Sequence, residues 1–137
     1  MIMRGTTPYH SFILPLRAEQ VSHIWVTYTQ NGTLILDKQD ADMDITNIED
    51  LYENASMEEL TDEEKQSSQV VLHLTQEDTL KFKFYPAAEK NIAVIQVRIL
   101  TDEGEAYASD PVTERVMGVI KDGVIGGNNE ITDTYGN

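Results

Sequence analysis

The sequence predicts an all-β fold, an antiparallel β-sandwich of seven or eight strands that carries a short helical acidic insertion. Three observations favour this class. Short stretches of alternating apolar and polar residues recur along the chain, turn residues separate them about every eight to twelve positions, and no long amphipathic helical pattern interrupts them. The densest of these stretches lie in residues 69–109, so we expect the rest of the chain to pack onto them.

Eight stretches have the character of strands. They lie at residues 9–16, 21–29, 33–38, 70–75, 80–84, 92–100, 105–109 and 111–120. A further short strand is expected around Met43 and Ile45, and residues 1–8 are expected to be a lead-in. These elements predict one domain over residues 1–125, followed by a flexible tail over residues 126–137.

Local chemistry predicts an edge strand, a hairpin and a central strand. Pro15 cannot donate a ladder hydrogen bond, so the strand at residues 9–16 is expected at a sheet edge. Asn31-Gly32 is the strongest short signal of a β-hairpin and joins the strands on either side of it. Residues 92–95 are apolar on both faces, which is typical of a central strand covered on both sides.

The acidic residues are concentrated in one segment. The chain has 24 acidic and 10 basic residues, a net charge of -14, and residues 40–64 contain 11 of the acids but no Lys or Arg. Helix capping boxes that begin at Ser56 and Thr61 predict one or two short helical turns in a surface insertion at residues 47–68. A similar box at Thr75 predicts a single turn, not a helix, before the next strand.

Composition excludes several classes of function. The net negative charge disfavours nucleic acid and anionic membranes as partners, because both are polyanions. The chain has no Cys, so disulfides, thiolate catalysis and Cys-based zinc sites are excluded. No run approaches the ~18 apolar residues of a membrane span. The expected location is the cytoplasm, or a particle that is assembled there.

One acidic run begins like a calcium-binding loop. Alternate carboxylates from Asp40 to Asp44 could converge on a hard cation. The pattern then fails, because Ile45 stands where a calcium loop requires Gly and Leu51 where it requires a bidentate Glu. A solvated acidic turn is therefore the favoured interpretation, and no metal site is predicted.

The histidines and aromatic residues have ordinary explanations as strand residues. His10, His23 and His73 fall on separate predicted strands, so surface histidines are favoured over a metal site. A sugar-binding face is the alternative for the aromatic residues, although aromatic residues on strands more often belong to the core. The candidates for that face are Trp25, Tyr28, Tyr52, Tyr85 and Tyr107. With no nucleophile elbow or phosphate loop in the sequence, we expect a non-enzyme without catalytic residues or cofactors.

Several sheet and turn motifs carry a resemblance to a known group of proteins. They lie at residues 3–8 with Phe12 and Leu14, at residues 74–79, and at residues 96–101 with Gly104 and residues 106–109. In these motifs the chain resembles small prophage proteins of Firmicutes that are encoded in tail or baseplate modules, with the likeness covering residues 3–38 and 69–125. The turn at residues 74–79 also resembles a corner of immunoglobulin-type domains, which implies an immunoglobulin-like sandwich.

The resemblance implies a phage structural protein that works through protein–protein contacts, as a tail or baseplate component. Its partners would be other phage structural proteins or further copies of the chain, for example in a ring. It would reside in the host cytoplasm and then in the virion. The contact residues expected from the edge strand and the insertion are Phe12, Leu14, Glu58, Glu59, Glu63 and Glu64.

Two other functions stay open at this point. An acidic phage-encoded inhibitor could imitate the charge of nucleic acid and occupy a basic groove of a host protein, using residues 40–64. Such an inhibitor would bind with strong salt dependence. A carbohydrate-binding module for host adsorption is the third alternative, and it predicts aromatic residues exposed on one face.

Overall fold

The computed structural model describes residues 1–52, 60–88, 90–119 and 122–126, and this part of the chain is predominantly β. The strands are β1 (Ile2–Met3), β2 (Tyr9–Leu14), β3 (Val21–Gln30), β4 (Thr33–Gln39), β5 (Met43–Asn47), β6 (Ser68–His73), β7 (Ile92–Thr101), β8 (Ala106–Ala108) and β9 (Val112–Met117). The short helices are α1 (Ile48–Leu51), α2 (Asp62–Lys65) and α3 (Gln76–Leu80), with 3-10 turns at Ala18–Gln20 and Asp40–Asp42.

The strands form two sheets. One has the order β1-β9-β7-β3-β4, with β8 also pairing with β7, and the other has the order β2-β6-β5. β7 is central, as predicted from its two apolar faces, and β2 lies at an edge, as predicted from Pro15. The Asn31-Gly32 hairpin between β3 and β4 is also confirmed, with both turn residues at positive φ (50° and 78°).

The first sheet is mixed, which corrects the prediction of a purely antiparallel fold. Residues expected to be a lead-in form β1, which pairs in parallel with the last strand, so that Ile2 lies beside Val116. Both side chains are buried, Ile2 fully and Val116 almost fully. Burial of these side chains stabilises a two-residue strand whose own ladder would be too short to persist alone.

The core lies between the two sheets. Alternate side chains of β3 (Ile24, Val26 and Tyr28) and of β6 (Val70 and Leu72) belong to the same buried apolar cluster, so the two sheets face each other across it. This alternation is the period-2 pattern that the sequence displays. A two-sheet β fold is therefore established.

Residues 80–84, which the sequence predicts to be a strand, are not one. The capped turn at Thr75 extends into α3, and the chain then continues in an irregular path that fully buries Phe82. Side chains replace the missing ladder: the Arg4 guanidinium donates to the carbonyls of Leu80 (3.0 Å) and Phe82 (2.7 Å). The Gln30 amide bonds both the N–H and the carbonyl of Lys83. These bonds satisfy partly buried backbone groups without a neighbouring strand.

The acidic insertion connects β5 with β6, which are antiparallel neighbours. Its base is closed by a hydrogen bond from the Ile48 N–H to the Ser67 carbonyl, at 3.0 Å. The predicted capping box at Thr61 is confirmed at the start of α2, while the one at Ser56 lies outside the described residues. The predicted tail lies outside them as well, apart from Gly126. Among the described residues, no helix has the length and apolarity needed to cross a membrane.

Candidate protein-binding site

The β2 edge is the least protected strand edge in the described part of the chain. Its six residues, YHSFIL, include no Asp, Glu, Lys or Arg, and among the described strands β2 pairs with β6 alone. The other exposed edges are short or charged: β1 has two residues, β8 has three, β4 carries Asp37 and Lys38, and β5 carries Asp44. Charges and short lengths are the usual means by which proteins prevent edge-to-edge pairing.

The two faces of β2 differ from the expected arrangement. Phe12 and Leu14 are the partner contacts expected from the sequence, but Leu14 is only 3% exposed and Phe12 is half-buried against the core. The outward apolar side chains are instead Tyr9 (68% exposed) and Ile13 (61% exposed). Phe12, Ile13 and Leu14 are consecutive apolar residues, so alternation alone could not show which of them faces inward.

The outer face of β2 begins with a flat aromatic pair. Tyr9 lies opposite His73 of β6, and their rings stack with centroids 4.0 Å apart and planes 8° from parallel. Both residues are exposed. This end of the strand therefore presents a flat aromatic surface with polar atoms at its margin.

A groove of about 610 Å³ adjoins the other end of β2. Ile13 and Pro15 line one side, Tyr107 and Ala108 of β8 line the other, and Val97 and Ile99 of β7 lie between them. The groove thus runs between an edge strand of each sheet. Its residues come from distant parts of the chain, so no local sequence pattern could indicate it.

Carboxylates dominate the charge of this groove. Among the described residues, its lining includes Glu19, Asp102, Glu103 and Glu105 but no Lys or Arg. The pKa of Glu19 is lowered to about 2, first by a hydrogen bond from Asn47 and then by one from Arg17. Glu105 accepts a hydrogen bond from the Tyr107 hydroxyl, which raises the pKa of that phenol. Glu19 and Glu105 are therefore held in place by neighbours within the chain.

Arg17 joins the groove to the base of the acidic insertion. Its guanidinium lies 2.6 Å from carboxylate oxygens of both Glu19 and Glu49, and it donates to the Lys65 carbonyl at 2.8 Å. The hydrogen bonds with Glu49 and Glu19 raise the pKa of Arg17. Both ends of the insertion are thus held by one side chain.

The predicted contact residues of the insertion are only partly described. Glu63 is exposed on α2, whereas Glu64 is half-buried and accepts a hydrogen bond from the Thr61 N–H (3.2 Å) in the capping box. Glu58 and Glu59 lie outside the described residues. Neither Glu63 nor Glu64 lines the groove.

The residues considered for metal binding do not converge. His10, His23 and His73 lie on β2, β3 and β6, and the described residues include no group of three potential metal ligands. Asp40 instead accepts hydrogen bonds from the Ile24 N–H and His23, which lower the pKa of its carboxyl.

Two of the aromatic residues considered for sugar binding do not present an open ring. Tyr28 is fully buried in the core. Trp25 is half-buried, and the Arg98 guanidinium lies 5.5 Å from its ring centroid. Exposed tyrosines lie on separate elements, for example Tyr9 on β2 and Tyr107 on β8.

Comparisons with known proteins identify a similarity of structure alone. The sequence matches no protein-family model and no curated protein. Two crystal structures of an uncharacterized protein from Listeria monocytogenes EGD-e are similar, each with a TM-score of 0.45, at 16% and 17% sequence identity. One of them is a complex with glucose, magnesium and calcium. The match covers 83% of this chain but only 8% of the Listeria chain.

Proposed function

We propose that this chain is a non-enzymatic protein-binding domain that pairs its β2 edge with a strand of a partner, as a tail or baseplate component of a prophage particle. The observation that supports it is the uncharged, six-residue edge with Tyr9 and Ile13 exposed. An edge of this kind is a template for strand addition unless a partner covers it. The prophage context comes from the sequence resemblance.

Strand addition suits the chemistry of β2. The partner's backbone would supply hydrogen bonds along the edge, while its side chains would contact Tyr9 and Ile13 on the outer face. We propose further that the two sheets form an immunoglobulin-like sandwich, a fold that leaves such edges at its sides. The partners would be other structural proteins of the particle or further copies of the chain in a ring.

The test begins with particles induced from the strain that encodes the chain and purified by density banding. Mass spectrometry should find its peptides at a fixed number of copies per particle. The Ile13→Lys variant should fold, since Ile13 is exposed, but it should be lost from the particles because a lysine on an edge opposes strand addition.

Leu34→Lys provides the matched control. Leu34 is 59% exposed on β4, an edge strand of the other sheet that already carries Lys38 and Asp37. This variant should enter particles at the wild-type copy number. Particles that lack the wild-type chain would refute the structural role, and equal incorporation of both variants would refute pairing through β2.

The acidic-inhibitor function is the second candidate, and the observation that favours it is the net charge of -14. The structure assigns several of the acids at residues 40–64 to bonds within the chain. Asp40 and Asp42 accept backbone hydrogen bonds, Glu49 pairs with Arg17, and Glu64 caps α2. Binding to a basic host protein that weakens steeply with salt, together with absence from particles, would favour this candidate.

A further inference from the structure

We infer that the groove between β2 and the β7–β8 hairpin takes an extended, positively charged segment of a different protein. This inference rests on the proposed function, because the β2 edge forms one side of the groove. It adds the chemistry of the partner: apolar side chains that fill the groove, and Lys or Arg side chains that meet its carboxylates.

The shape of the groove supports an extended occupant. Ile13 and Tyr107 are exposed on its two sides, and the buried side chains of Val97 and Ile99 lie between them. Its volume of about 610 Å³ is within the ~300–1,000 Å³ that is usual for ligand sites. A strand running beside β2 would place alternate side chains in this apolar space and cover Ile13 from water.

Charge complementarity supports a cationic occupant. Asp102 and Glu103 lie in the turn between β7 and β8 and are exposed, and no Lys or Arg from the described part of the chain lines the groove. Arg17, which follows the lining residue Leu16, is already paired with Glu19 and Glu49. Arg98, which stands between Val97 and Ile99, lines a separate pocket and lies 5.5 Å from the Trp25 ring centroid. A Lys or Arg of the partner would therefore be the cation that meets Asp102 and Glu103.

The same electrostatics argue against a second copy of the chain as the occupant. Two copies each carry a net charge of -14, so their approach is opposed at long range. Approach to this acidic groove adds local repulsion. A partner of opposite charge would instead be attracted, and its association would slow as salt screens the charges.

The probe is a synthetic peptide of alternating Lys and Val, about eight residues long, with blocked ends, which in extended form would span ~27 Å. Fluorescence polarisation with the full chain should show binding that weakens as NaCl rises from about 50 to about 500 mM. A peptide of alternating Glu and Val, matched in length and apolar content, should not bind.

Two double variants locate the binding. Asp102→Asn with Glu103→Gln should reduce the affinity for the Lys-Val peptide by about tenfold or more, because it removes two charges from the groove. Asp44→Asn with Glu77→Gln removes two exposed charges outside the groove and should leave the affinity near the wild-type value. Circular dichroism would verify that both variants fold.

Each outcome decides the inference. No binding of the Lys-Val peptide, equal binding of the Glu-Val peptide, or equal weakening in both double variants would overturn it. A salt-stable dimer in sedimentation that Ile13→Lys abolishes would also overturn the inference, since a second copy would then occupy the groove.

The outcomes also separate this inference from the proposed function. If the peptide results are as expected but the chain is absent from particles, the prophage function is refuted and the inference about the groove is retained. If particles contain the chain but the peptide fails to bind, the groove inference fails alone.

Discussion

His10 and Tyr28 meet inside the molecule, where the His10 Nδ1 atom lies 2.6 Å from the Tyr28 hydroxyl oxygen. His10 comes from β2 and Tyr28 from β3, so the contact joins the two sheets. The other ring nitrogen of His10, Nε2, is buried without a hydrogen-bond partner among the described residues. Burial accordingly lowers the pKa of His10 below its ordinary value of 6.5.

This pair predicts a loss of stability in mild acid. Below pH 6.5 the unfolded chain binds a proton at His10 more readily than the folded chain does, so the free energy of unfolding falls as the pH decreases. The loss levels off once the pH is below the folded-state pKa. Urea unfolding at about pH 7.5 and about pH 5 should show a smaller pH dependence for His10→Gln than for the wild type.

His73→Gln is the control for this effect. His73 is exposed on the neighbouring strand β6, so its replacement removes one histidine without touching the buried pair. It should retain the wild-type pH dependence. If His10→Gln kept the full dependence as well, burial of His10 would not be its cause.

A second prediction compares two helix caps of the same type. Thr75 accepts a hydrogen bond from the Asp78 N–H at 3.1 Å, and the buried Asp78 carboxylate also lies 2.9 Å from the Lys38 ammonium. Thr75→Ala should lower the free energy of unfolding by about 1 kcal/mol, measured by chemical denaturation. Thr61→Ala removes the equivalent cap from the exposed α2 and should have a clearly smaller effect. Equal losses of unfolding free energy in the two variants would show that the packing around Asp78 does not add to the effect of its cap.

A third prediction concerns two glycines at nearly the same backbone angle. Gly5 has φ of +80° and Gly32 has φ of +78°. A Cβ atom on Gly32 would meet nothing within 4 Å, but one on Gly5 would lie 2.5 Å from the Gly123 carbonyl oxygen. Gly32→Ala should therefore destabilise the protein by about 1 kcal/mol from backbone strain, and Gly5→Ala by ~1–3 kcal/mol more. Similar melting temperatures for the two variants would contradict this account.

Much of the fold could be predicted from the sequence where local chemistry decides it. Alternating residues specify most of the strands, and Asn31-Gly32 fixes the hairpin because few residue pairs adopt positive φ so readily. The segment at residues 80–84 also alternates, yet it is irregular. Its backbone groups form hydrogen bonds with the side chains of Arg4 and Gln30. Both residues are distant in sequence, so no local pattern could indicate that the segment is irregular.

The candidate site was harder to predict than the fold. Pro15 correctly indicated that β2 is an edge strand, but three consecutive apolar residues left its inward face ambiguous. β1 pairs in parallel with β9, and the groove lies between β2 and β8. In both cases the two elements are far apart in the sequence. Such contacts depend on tertiary packing, which the pattern of a single strand does not encode.

A final prediction concerns the side chain that holds the acidic insertion. Arg17→Gln would remove the contacts of the guanidinium with Glu49, Glu19 and the Lys65 carbonyl. Hydrogen exchange measured by mass spectrometry should become faster in peptides covering α1 and α2, while global stability changes little because these ion pairs are partly exposed. Arg98→Gln is the matched control, since Arg98 is exposed on β7 and its nearest carboxylate, on Asp37, is 4.0 Å away. Unchanged exchange in Arg17→Gln, or the same increase in both variants, would show that the insertion does not depend on Arg17.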